Sequence, residues 1–167
     1  MIPLKGNAMK FLLILGFLFL SLFAKEANFP SELVPWKNLS YVNSAKNSEE
    51  LNSAEITLDK ASYIGLINTP KIQYIVRPTN EGGTVSYGGL FKVDIKHGGI
   101  YRVALGNASW IDLIKDGKAA KSVAHSHGPE NSGIRKMVDY PLEAGVYTLQ
   151  LSAGADSTSA VLITKVK

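Results

Sequence analysis

The chain predicts an all-β fold, an antiparallel β-sandwich of jelly-roll type with about eight to ten strands, and three observations carry that expectation. After Ala54 the sequence is a succession of short runs rich in β-branched and aromatic residues, separated by turns rich in Gly, Asn and Asp. Several runs alternate apolar and polar residues. Phe91, Val93 and Ile95 alternate with Lys92, Asp94 and Lys96, and Tyr147, Leu149 and Leu151 with Thr148, Gln150 and Ser152. A period of two marks a sheet with one buried face. No segment after Ala54 carries a helical period, and strands without intervening helices pack as two antiparallel layers. A small closed barrel is the alternative.

Taken in order, residues 1–24 read as an export signal. Lys5 and Lys10 form a basic start, and residues 11–23 are an apolar run broken only by Gly16 and Ser21. That is a signal-peptide core length, whereas a transmembrane helix needs about 20 residues. Ala24, or failing it Ala27, offers a small residue for cleavage, and an uncleaved anchor is the alternative reading. The protein is therefore expected to be exported, periplasmic or extracellular, with no transmembrane helix after cleavage. Residues 25–54 are polar and broken by Pro30 and Pro35, which predicts an irregular segment with a short helix near 44–51 capped by Ser48. Leu33 and Trp36 are expected to pin that segment onto the main domain, residues 55–167.

Within that domain strands are expected at 55–59, 63–68, 71–77, 85–95, 100–105, 110–115, 119–125, 134–140, 146–152 and 160–166. Gly98-Gly99 and Asp116-Gly117 read as hairpin turns, because glycine supplies the positive φ that tight turns demand.

Composition narrows the function classes. The 167 residues include 15 Gly, 7 Pro and no Cys, so disulfides and thiolate metal sites are excluded. The formal charge is +4; without Lys5 and Lys10 the chain keeps 16 basic and 14 acidic residues, a balance that argues against nucleic-acid binding. Gly82-Gly83 and Gly88-Gly89 lack the Lys-Ser/Thr ending of a phosphate loop, and no serine stands in a Gly-x-Ser-x-Gly elbow.

Two groups of residues carry chemistry. His125 and His127 are two apart, so on a strand they project from one face and can share a divalent transition metal such as Cu, Zn, Ni or Fe. His97, Glu130 or Asp139 would have to complete the shell. The Gly, Pro, Asn and Ser that follow equally suit a polar loop. The second group is Trp110 with Asp112. Beside Tyr87, Tyr101 or Tyr140 it could form an aromatic platform with a hydrogen-bonding carboxylate, the arrangement that holds a sugar. Alternatively Trp110 and Asp112 point into the core, where the carboxylate must be hydrogen-bonded. Arg135 and Lys136, near Lys118 and Lys121, could make a basic patch, or simply belong to a solvated sheet face.

The succession SYGGLFKVDI, GGIYRVALG, WIDLIKDG and PLEAGVYTLQLSAG resembles the pre-peptidase C-terminal modules of secreted bacterial peptidases and the related carbohydrate-binding jelly rolls. That resemblance spans roughly residues 55–167 and implies a non-catalytic module that binds a glycan, an envelope component or a protein partner. The motifs SYGGLF, YRVALG, WIDLIKDGK, AHSHGP and GIRKMVDYPL, in this order, resemble small exported bacterial proteins that often carry the label homogentisate 1,2-dioxygenase. That label implies a non-haem Fe(II) held by two histidines and a carboxylate. His125, His127 and Glu130 are similar to the first cupin metal motif. At the position of the second, Pro141, Gly145 and Thr148 stand without a histidine.

Overall fold

The period-two runs become the ladders of a two-sheet sandwich. The computed structural model describes residues 29–166, so the expected export signal lies outside the described residues. Twelve strands form among them: β1 (Leu39–Asn43), β2 (Glu55–Ile56), β3 (Ala61–Gly65), β4 (Ile67–Asn68), β5 (Tyr87–Ile95), β6 (Gly99–Leu105), β7 (Trp110–Lys115), β8 (Lys118–Ala119), β9 (Ala124–Ser126), β10 (Lys136–Leu142), β11 (Gly145–Gly154) and β12 (Thr158–Lys165). The first sheet runs β1-β3-β12-β6-β10-β9 and the second β2-β5-β11-β7-β8, with β4 also paired to β5. The count exceeds the eight to ten expected because β1 forms ahead of Ala54 and the runs 63–68 and 119–125 each divide into two strands, while 71–77 forms none. No helix among the described residues is long and apolar enough to cross a membrane.

Alternation decides the core. Ile64, Val103, Leu105, Val161 and Ile163 of the first sheet meet Phe91, Val93, Ile95, Leu149 and Leu151 of the second, all fully buried. Tyr140 of β10 ties the layers together: its buried hydroxyl donates to the carbonyl of Ile111 on β7 at 3.1 Å.

Four sequence expectations change, each for a connectivity reason. Gly98-Gly99 is not a hairpin, since β5 belongs to the second sheet and β6 to the first, and the turn arches between layers. The run 119–125 is broken: β8 pairs with β7 while β9 pairs with β10, so the chain crosses from one sheet to the other. The run 63–68 divides in the same way into β3 and β4. Residues 71–77 form no strand; the short 3-10 turn Thr69–Lys71 leads into them. They lie across the outer face of β11, where side chains replace ladder partners. Ile75 N–H donates to Gln150 Oε1 at 3.0 Å, Gln150 Nε2 to the Val76 carbonyl at 3.0 Å, and Ser152 Oγ to the Asn80 carbonyl at 2.7 Å. Gln150 and Ser152 are fully buried as a result, and their polar groups are satisfied. Asp116-Gly117 does form the β7–β8 hairpin, with φ of 52° and 70°, as a type I′ turn requires.

The segment before Ala54 contributes more than loops. Its 3-10 helix Ser31–Lys37 buries Leu33 and Trp36 against Ala104, Ile134, Met137 and Leu162, on the outer side of the first sheet. Strand β1 then pairs in parallel with β3, and β2 in parallel with β5, so the sandwich is not wholly antiparallel. The short helix anticipated near 44–51 is the 3-10 helix Ser48–Ser53; Asn47, not Ser48, is its cap, accepting from Glu50 N–H at 3.1 Å.

Candidate functional site

One side of the sandwich is left open. β8 pairs only with Ile114 and Lys115, so the stretch from Trp110 to Asp112 has no strand on that side. The opposite layer ends there too, at the three-residue β9. Between these edges lies a cavity of about 480 Å³. Trp110 and Ile111 form one wall. Ser122, His125, Ser126 and His127, from the crossing segment, form the second, and residues 136–138 with Tyr140, from β10, form the floor.

Strand phase explains who points where. Ile111 and Leu113 face the core, so Trp110 and Asp112 share the opposite phase, and the core alternative for Trp110 does not hold. Trp110 is 38% exposed, and its indole Nε1–H donates to Asp112 Oδ1 at 3.1 Å. Lys136 extends from β10 to lie 6.0 Å from the centre of the Trp110 ring, and its ammonium donates to the Ser109 carbonyl at 2.8 Å. Opposite, His125 is the register partner of Val138, which packs on the core, so the imidazole shares the face that looks between the sheets. His127 bonds through Nδ1 to the Arg135 carbonyl oxygen at 3.1 Å. Gly128 fixes the chain just beyond it. A Cβ there would lie 2.6 Å from the Ile134 carbonyl oxygen and overlap its side chain.

The electrostatics follow from burial. The half-buried Lys136 ammonium has its pKa lowered by desolvation, and among the described residues it forms no ion pair. Burial raises the Asp112 carboxyl above its ordinary value, and the bonds from Trp110 and Gln150 pull it partly back. Burial also raises the Tyr140 hydroxyl, with the Asp112 charge adding to the effect. The cavity thus offers an aromatic ring, apolar surface from Ile111, Met137 and Val138, and a cation without a carboxylate partner.

The structure brings together Trp110, Asp112, His125, His127, Lys136 and Tyr140. It does not bring the other candidates here. Tyr87 opens β5, half-buried between Asn68 and Gly154. The Arg135 side chain is exposed; only its carbonyl serves the site. His97 is exposed in the β5–β6 turn, where its carbonyl accepts from Tyr101 Oη at 2.7 Å. Glu130 is exposed in the loop after His127 and lines no part of the cavity. Asp139 is taken by Arg102, which grips it with two bonds of 2.8 Å while also meeting Glu32 at 3.4 Å. Among the described residues no three His, Asp or Glu side chains are grouped to hold a metal, so the shell of two histidines and a carboxylate is not assembled. Ser122, Met137 and Val138 are lining residues that sequence reasoning missed, and nothing in their local pattern marks them.

No protein-family model matches this chain, and no curated protein matches it. Among solved structures it is similar to the pre-peptidase C-terminal domain of a collagenase from Bacillus anthracis, with a TM-score of 0.41 and 12% identity over 66% of this chain and 92% of that domain.

Proposed function

We propose that the protein is a non-catalytic binding module whose open-edge cavity holds a sugar, and specifically one bearing a carboxylate. The observation that carries this reading is Trp110: a large ring, 38% exposed at the mouth of a cavity, with its indole N–H already engaged by Asp112. An oriented aromatic face with a polar surround is how proteins dock the apolar face of a pyranose. Lys136 supplies the class. Its ammonium stands beside that ring without a carboxylate, which favours an acidic sugar over a neutral one. Ser122, Ser126 and the imidazoles of His125 and His127 offer hydrogen bonds to ring hydroxyls.

The test is a fluorescence and calorimetric titration with uronic-acid oligosaccharides against neutral oligosaccharides of equal length. Saturable binding of the acidic series, weakened about tenfold or more in Trp110→Ala and in Lys136→Met, is the expected result. Absence of saturable sugar binding, or an affinity indifferent to Trp110→Ala, would sink the reading.

A further inference from the structure

We propose that His125 and His127 form a two-imidazole site for a divalent transition metal, Cu(II) by preference, on the cavity wall facing Trp110. His125 lies on β9, and His127 stands one residue past the end of that strand at Ser126. The register fixes which side His125 faces. His125 pairs with Val138, a residue packed on the core, so it looks into the space between the sheets, and His127, just past the end of β9, lines the same cavity. Both rings line the one cavity, and both are exposed, so neither needs desolvation to be reached.

The Arg135 carbonyl decides the chemistry of the second ring. A carbonyl oxygen only accepts, so at 3.1 Å His127 Nδ1 must carry the hydrogen, and the lone pair of the neutral ring sits on Nε2. A ring N–H held by a carbonyl, with the other nitrogen free, is the outer bond that orients metal-ligating imidazoles. Gly128, with no room for a side chain against Ile134, keeps His127 in that place.

Ligand type selects the ion. The cavity presents imidazoles with no cysteine in the chain and no carboxylate in its lining, which disfavours Ca(II), Mg(II) and thiolate-seeking ions. Among imidazole-binding divalent ions the affinity order peaks at Cu(II). The remaining coordination positions are left to water or to an exogenous donor. The ammonium of Lys136 lines the same cavity and opposes the cation, so its removal tightens binding.

The site is tested with Cu(II) on the untagged chain, by calorimetry and electron paramagnetic resonance. One ion per chain at micromolar concentration is expected, with superhyperfine splitting from two imidazole nitrogens. Each of His125→Asn and His127→Asn weakens binding about tenfold or more, and Gly128→Ala acts in the same direction by displacing His127. Lys136→Met strengthens it, and His97→Asn leaves it unchanged. Trp110→Ala also leaves it unchanged, which separates the metal site from the sugar site. A tight copper that survives the double histidine variant, a single-imidazole spectrum, or no saturable copper would each overturn the proposal.

Discussion

The indole of Trp110 and the carboxylate of Asp112 are joined along one strand, Nε1 to Oδ1 at 3.1 Å, so the ring at the cavity mouth is held by its own neighbour but one. Burial raises the Asp112 carboxyl above the usual aspartate range. A carboxyl raised on folding contributes stability below its unfolded value and loses it as pH rises through the folded one. Above that window the half-buried charge is a cost. Asp112→Asn removes the charge and keeps an acceptor for the indole. Thermal melts are expected to show a higher midpoint for the variant at about pH 7 and little difference near about pH 3.

Arg102 and Asp139 face each other on β6 and β10 with two parallel bonds, both side chains mostly buried. Asp139→Ala strands a guanidinium against the outer face of the first sheet, and denaturant unfolding should show a loss of about 2 to 4 kcal/mol. Glu32→Gln, whose partner distance is 3.4 Å, should cost about 1 kcal/mol or less.

Gly88 and Gly117 are predicted to respond differently to the same substitution. A Cβ on Gly88 would overlap the Leu151 carbonyl oxygen and the Tyr74 hydroxyl, pushing the overlying 71–77 segment off β11. Gly88→Ala should therefore cost about 2 to 3 kcal/mol. Gly117 has open space around it but a φ of 70°, so Gly117→Ala should cost about 1 kcal/mol from backbone strain alone.

Ala153 is a rarer case, a side chain at φ of 54° in the irregular stretch of β11 between Leu151 and Gly154. Ala153→Gly relieves that strain, and a gain of about 0.5 to 1 kcal/mol in unfolding free energy is expected.

Alternation and turn chemistry place the long strands well. β5, β6, β7, β10, β11 and β12 all begin and end within two residues of the expected bounds. What alternation does not encode is sheet membership. Nothing local to Gly98-Gly99 distinguishes a hairpin from an arch between layers, and nothing in 119–125 announces a change of sheet. Ile72, Tyr74 and Val76 alternate like a strand, yet the ladder they would need is replaced by the Gln150 side chain, a partner more than seventy residues away. The site was legible by residue type for Trp110, Asp112, His125 and His127. The commitment of Asp139 to Arg102, 37 residues away, was not, because both occupy outward positions that in an uncovered sheet would simply meet water. Here the Ser31–Lys37 helix brings Glu32 to them.

β12 is the twelfth strand in the chain but the third in its sheet, seated between β3 and β6. Order of synthesis and order of assembly therefore run against each other. While a ribosome is still making the chain, β1-β3 and β6-β10-β9 have no common neighbour, and two raw edges wait for the same strand. Closing the first sheet therefore depends on a segment that follows every one of its other strands in the chain.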